Sequence, residues 1–237
     1  RNGNGTLLVE LVATSGNYDL RLWADCVRTD APLSDTFYHT EKLQAVTIVT
    51  NPYTADTDEK DAAFHCEENI AIPEEGSTIS IRLQRPLAKY RMVANDVETY
   101  RKLAEAEPDK FPPLSKLTVT VQYENFFPSV FNVARGVPSN SMQGLSFANS
   151  LSDVVPDAGE VQIASDWVLT NGEDTFVRSS IVISDETGTV IARTAGVEIA
   201  HKRNCQTIIR GNFLTAGIGS GGVRIDTDWK DIYKVEF

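Results

Sequence analysis

The stretch STISIRLQRPLAKYRMVANDVETY, residues 77–100, decides the fold class. In its first third Ile79, Ile81 and Leu83 alternate with Ser80, Arg82 and Gln84, the period of a strand with one wet face. The Arg85-Pro86 step interrupts it. Proline cannot donate to a ladder, so Pro86 belongs between strands or at an edge. A second strand is expected over 88–94 (AKYRMVA). Asn95 or Asp96 is placed to cap a helix over 97–103. This is the one good helical pattern in the chain, and the sequence on both sides of it is β-rich.

Working outward, strands are expected over 6–12 (TLLVELV), 18–27 (YDLRLWADCV), 43–50 and 62–67. In the second half the cleanest alternation is 116–124 (KLTVTVQYE), with Leu117, Val119, Val121 and Tyr123 on one face. Residues 125–142, carrying Pro128 and Pro138, read as irregular. Further strands are expected over 161–170, 176–184, 189–193 and on through Val197 and Ile199, then 206–214, 223–225 and 232–237. Residues 105–113 (EAEPDKFPP) are charged and then proline-rich, the composition of a linker. The expectation is all-β: two β-sandwich domains, 1–113 and 114–237, each of six or seven strands, with one short helix near the junction.

A chain of 237 residues, 41% hydrophobic, can bury a real core, and 15 glycines and 10 prolines punctuate it at sandwich spacing. The net charge is −11. Residues 1–113 hold 12 basic and 19 acidic side chains, and 114–237 hold 10 and 14. Acidity in both halves leaves no electrostatic footprint for nucleic acid or anionic lipid. No apolar run reaches the ~20 residues that span a bilayer. The chain opens at Arg1 in a polar RNGNG segment without a secretion signal, so it reads as a trimmed form. Any export signal or lipid anchor is expected upstream.

Enzyme chemistry finds little support. Cys26, Cys66 and Cys205 form no zinc spacing; Cys26 and Cys66 fall in register with core residues, and a Cys26–Cys66 disulfide is left open. His39, His65 and His201 lack the spacing of a metal pair. His65 and Cys66 are strand neighbours, which point to opposite faces and cannot pair, and His65 is expected to be half-exposed. No G-x-S-x-G elbow is present. Asp56, Asp58 and Asp61 have a spacing that could face calcium but lack the glycine and distal glutamate of a calcium loop, so a solvated turn is favoured. The GIGSGG run, 217–222, lacks the Lys-Ser/Thr and the following helix of a phosphate cradle. The turn carboxylates Glu74 and Glu75 read as exposed. Trp23, Trp167 and Trp229 could stack a sugar, Trp229 being the most exposed by position, yet packing is favoured for all three. No catalytic, cofactor-binding or metal residue is assigned.

Read together, YDLRLWADCV, FYHTEKLQAVTI, YTADTDEKDAAF and LQRPLAKYRMVANDVETY, followed by LTVTVQYENFFPSVFNV, IASDWVLTN, VEIAHKRNCQTIIRGNFLT and DTDWKDIYKVEF, resemble the fimbrillin-like surface proteins of Bacteroidetes. The most telling pieces are Arg85-Pro86-Leu87-Ala88-Lys89 and Lys202-Arg203-Asn204, with Thr207 and Arg210-Gly211-Asn212 leading into Leu214-Thr215. The resemblance covers about residues 18–237. It implies two transthyretin-like sandwiches, export as a lipoprotein and display on the outer membrane. In pilus-forming members a protease removes an N-terminal strand after an arginine, and a strand from the next subunit fills the groove. The processing arginine is not placed in this chain, and the end at Phe237, directly after the last strand, offers no expected C-terminal donor. The family carries over no catalytic residue.

The functional expectation is a non-enzymatic cell-surface structural or adhesion protein. Its partners are other fimbrial subunits or itself through strand exchange, with the membrane reached only through an upstream anchor. Residues 6–12 are the expected replaceable strand. The alternative is a stand-alone module for carbohydrate or host ligands, using Trp229, Tyr233 or the loop 125–142. A hydrolase on a β-sandwich is a further alternative that no motif supports.

Overall fold

The computed structural model describes residues 8–56, 60, 64–172, 175–217 and 233–234. Its strands are β1 (Gly16–Ala24), β2 (Tyr38–His39), β3 (Val46–Ile48), β4 (Phe64–Ile72), β5 (Leu87–Ala94), β6 (Thr118–Tyr123), β7 (Phe127–Asn132), β8 (Val137–Met142), β9 (Ser146–Ser150), β10 (Val161–Leu169), β11 (Thr175–Ser184), β12 (Val190–His201), β13 (Cys205–Gly211) and β14 (Tyr233–Lys234). Among the described residues one α-helix, α1 (Val97–Ala106), joins them. The fold is all-β, as expected. Three four-stranded sheets run β10-β5-β13-β14, β12-β11-β6-β9 and β2-β3-β7-β8, and β1 and β4 form a separate two-stranded ribbon.

The second part of the opening stretch becomes the centre of the first of these sheets. Leu87, Ala88, Tyr90, Met92, Val93 and Ala94 of β5 are all buried. A strand covered on both faces needs apolar residues at nearly every position, which is what LAKYRMVA supplies. β5 runs antiparallel to β10 and parallel to β13. Val119, Val121 and Tyr123 of β6, Ile181 and Ile183 of β11, and Phe127 and Phe131 of β7 meet its face in one continuous core.

The ladders cross residue 113, where the expected division into 1–113 and 114–237 falls. β5 lies before the boundary and hydrogen-bonds β10 and β13 beyond it, and β3 likewise pairs with β7. The presumed linker is part of the core. Phe111 is buried and meets Tyr100 of α1 edge-on at 6.2 Å, and the Tyr100 hydroxyl donates to the Pro112 carbonyl at 2.7 Å. Proline and charge in EAEPDKFPP suggested a free connector, but one aromatic anchor outweighs composition.

Several elements differ from expectation. Residues 8–12 of the expected first strand join no ladder. The alternating stretch 77–83 is not a strand either; only its end is held, where the His65 and Gln84 backbones exchange two 2.8 Å hydrogen bonds. Residues 125–142, expected to be irregular, contain β7 and β8. Pro128 sits at a register shift in that pair, where a ladder donor is not required, and β8, which holds Pro138, is a sheet edge. α1 extends beyond 97–103, and Asp96 at its start makes no side-chain cap. The Asp96 carboxylate instead accepts from the Thr215 amide at 2.8 Å and hydroxyl at 2.7 Å, tying the helix start to the segment after β13. Trp229, Asp58, Asp61, residues 218–222, the expected strand 223–225 and most of 232–237 lie outside the described residues, as do the side chains of β14.

Candidate functional site

Two polar clusters and one exposed apolar segment are the candidates. The first cluster surrounds Asp166 on β10, which has no exposed surface. A strand carboxylate facing the core must find donors for its oxygens. Oδ1 accepts from Lys60 Nζ at 2.9 Å and from the Trp167 amide at 2.7 Å. Oδ2 accepts from the Tyr53 and Tyr123 hydroxyls, each at 2.6 Å. Tyr90 donates in turn to the Tyr123 hydroxyl at 2.8 Å.

Burial, and after it the negative charge of Asp166, pushes the phenols of Tyr53, Tyr90 and Tyr123 well above their ordinary range. Burial lowers the Lys60 ammonium against the opposing pull of Asp166. Four hydrogen bonds occupy the two oxygens of the carboxylate, and the tyrosines stay protonated as donors. This is a structural pin, which ties residue 60 to β10 and β6.

Beside it Asp56 is equally engaged. It pairs with Lys89 Nζ at 2.6 Å, accepts from Trp167 Nε1 at 3.0 Å, and accepts from the Ser165 hydroxyl. The first member of the acidic D-x-D-x-x-D run therefore faces protein donors. Among the described residues no three His, Cys, Asp or Glu side chains are grouped for a metal ion.

The second cluster is open. A cleft of about 610 Å³ lies between β4, residues 80–84 and three loop tips, and its walls include His65, Arg82, Gln84, Arg135, Asn171 and Arg203. Glu68 and Cys66 also reach it. Arg203, on the β12–β13 turn, donates through Nη2 to the Thr170 carbonyl at 2.8 Å and to the Gly136 carbonyl, and its guanidinium stands 5.9 Å from the Phe131 ring centre. It thereby joins the β12–β13, β10–β11 and β7–β8 turns.

His65 was expected to be half-exposed and is 3% exposed. Its ring lies edge-on to Phe131 at 4.7 Å, and neither Nδ1 nor Nε2 has a hydrogen-bond partner among the described residues. Burial first, and the Arg203 charge second, lower its pKa to about 4, so the imidazole is neutral at neutral pH. The cleft was not singled out from sequence, because its residues come from five separated segments. His65, Arg82, Gln84, Asn171 and Arg203 each belonged to a stretch already noted, but nothing in those stretches says that they meet.

The tryptophans within the described residues pack, as favoured. Trp23 lies edge-on to Tyr38 at 5.4 Å, and Trp167 is 7% exposed with Lys89 Nζ 4.9 Å above its ring. Cys26, Cys66 and Cys205 form no disulfide, which settles the open Cys26–Cys66 question. No described helix is long and apolar enough to cross a membrane.

The exposed segment is 8–14, ahead of β1. Leu8, Val9, Leu11 and Val12 are 74%, 63%, 79% and 106% exposed. β1 itself pairs only with β4, which leaves its other edge open among the described residues.

A family model described as a family of unknown function (DUF6562) matches residues 1–235. No match was found among curated proteins. Three solved structures are similar. A putative cell adhesion protein of Bacteroides ovatus is 11% identical, with a TM-score of 0.46 over 90% of this chain and 67% of that one. A putative adhesin of Bacteroides ovatus is 12% identical, with a TM-score of 0.43 over 94% and 76%. A putative cell adhesion protein of Bacteroides fragilis is 9% identical, with a TM-score of 0.32 over 92% and 67%.

Proposed function

The chain belongs to the family of unknown function DUF6562, and since that membership states no activity, we propose that it is a non-enzymatic structural or adhesion protein of the cell surface, related to fimbrial subunits, which associates by β-strand addition. The observation that carries this reading is the 8–14 segment. Four large apolar side chains between 63% and 106% exposed, on backbone outside every ladder, make a costly surface for an isolated molecule. Added to an open sheet edge, the same residues gain main-chain hydrogen bonds and bury alternate side chains. The partner is a second copy or a related subunit. The fimbrillin-like sequence pieces support the same reading.

The test compares the chain with a Val9→Asp/Leu11→Asp variant by sedimentation velocity over a range of concentrations, and native cells by denaturing gels of the outer membrane, unboiled and boiled. Concentration-dependent oligomers lost in the variant, with a ladder that collapses on boiling, support strand addition. A monomer at all concentrations, identical in the variant, with a single band from cells, removes it. A second reading, a stand-alone ligand-binding module, is favoured by the arginine-lined cleft.

A further inference from the structure

We infer that the cleft between β4 and the β7–β8, β10–β11 and β12–β13 turns binds a carboxylate-bearing saccharide, with Arg82 and Arg135 holding the carboxylate and His65, Gln84 and Asn171 meeting the hydroxyls. The inference deepens the second reading, a ligand-binding module, and is independent of strand addition.

Three features of the cleft carry it. The first is charge. On a chain of net charge −11, three arginines line one hollow with a single carboxylate, Glu68, beside them. Arg203 is spent on backbone carbonyls. Arg82 and Arg135 are exposed and form no ion pair among the described residues. Guanidinium forks match a carboxylate in two parallel hydrogen bonds.

The second is the imidazole. His65 is 3% exposed, lines the cleft and has no hydrogen-bond partner for either ring nitrogen among the described residues. A neutral imidazole presents one donor and one acceptor. Buried polar atoms in native structures are ordinarily paired, and both ring nitrogens are covered here, so the ring meets a ligand hydroxyl only when a wall side chain gives way.

The third is the size and character of the walls. About 610 Å³ is in the range of small-molecule sites. The walls carry amides, a hydroxyl and guanidinium groups, with Val137 the one aliphatic side chain. An apolar peptide side chain finds little to pack against there, whereas a polyhydroxyl acid finds partners on every side.

The test titrates the isotopically labelled chain with D-glucuronate, D-galacturonate, D-glucose and sulfate, reading the His65 ring signals by NMR. Either uronate should shift them saturably, and glucose should not. Arg82→Gln and Arg135→Gln, both on exposed side chains, should each weaken the uronate about tenfold with unchanged thermal melting. The inference is overturned by no saturable uronate response, by uronate affinity in both variants unchanged from the parent chain, or by sulfate binding as tightly as the uronates. A response to glucose alone also overturns it, while leaving the ligand-module reading standing. The Val9→Asp/Leu11→Asp variant should bind uronate normally, so loss of assembly and loss of binding remain separable.

Discussion

Arg85 Nη1 donates to Asn204 Oδ1 at 3.1 Å across 119 positions of sequence. The contact joins the Arg85-Pro86 step to the Lys202-Arg203-Asn204 block, and it is one of several there. The Asn204 amide donates to the Leu87 carbonyl at 2.8 Å, and the Thr170 amide donates to the Pro86 carbonyl at 2.9 Å. The two most distinctive pieces of the sequence are thus one structural unit, a clasp at the end of the β5, β10 and β13 sheet. It also fixes Arg203 at the mouth of the cleft.

Asn204 has a φ of +56°, a conformation that asparagine tolerates and alanine resists. Asn204→Gly should keep the backbone and lose the hydrogen bond to a charged donor, costing about 1.5–3 kcal/mol. Asn204→Ala should lose the bond and strain the turn, costing about 1 kcal/mol more. Urea unfolding of both variants checks the order. Equal stability of the two would mean that the turn relaxes freely.

At the buried pair the expected costs are unequal. Asp166→Asn removes the carboxylate paired with the Lys60 ammonium, leaving only the weaker field of Asp56, and weakens the anchors of Tyr53 and Tyr123, a loss of about 3–5 kcal/mol. Lys60→Met leaves Asp166 with the Tyr53, Tyr123 and Trp167 donors, so it should cost less. Chemical denaturation midpoints distinguish the two, and a larger loss for Lys60→Met would show that the ion pair outweighs the hydroxyl bonds.

How far the sequence was legible depends on what each segment reports. The strand at β5 was legible after the Arg85-Pro86 break, and β6 from strict alternation. Those are local signals. Sheet membership is not local: nothing in LAKYRMVA says that its neighbours are β10 and β13, and nothing in EAEPDKFPP says that Phe111 is buried. Ile79, Ile81 and Leu83 carried the alternation of a strand, yet 77–83 is paired only at Gln84, because alternation describes a face and not a partner. In β7, Pro128 masked a strand whose register shift accommodates it. His65 looked half-wet because strand alternation sets it on the face opposite its apolar neighbours Phe64 and Cys66, and the ring that buries it, Phe131, is 66 positions away. The cleft was invisible for the same reason, being assembled from turns that only the fold brings together.

Gly196 occupies the bulge where β12 falls out of register with β11, at a φ of +73°. A Cβ there would stand 2.4 Å from Arg178 Nη2, displacing the guanidinium whose Nε donates to Glu124 at 2.9 Å. The Arg178 end is flexible and can move, so backbone strain sets most of the cost. Gly196→Ala should lose about 1–2 kcal/mol. Adding Arg178→Ala to it should recover only the small share due to the side chain. If the double variant returns to the stability of Arg178→Ala alone, the clash and not the backbone is responsible.

Acid should weaken the fold before its carboxylates titrate. His201 is wholly buried, has no hydrogen-bond partner on either ring nitrogen among the described residues and lies 5.5 Å from the Tyr90 ring, and burial lowers its pKa to about 3. His65 is lowered to about 4 by burial and Arg203. Both start from 6.5 in the unfolded chain. Between those values the unfolded state binds protons that the folded state refuses, so stability is full above about pH 6.5 and falls as the pH drops towards 4 and then 3. Each histidine should remove about 2 kcal/mol between pH 7 and pH 5. His201→Phe keeps a ring against Tyr90 and cannot be protonated, so it should halve that loss while changing the stability at pH 7 far less. Urea unfolding of both proteins at the two pH values gives the difference. An equal loss in the variant would mean that His201 takes up its proton in the folded state by opening a path to water.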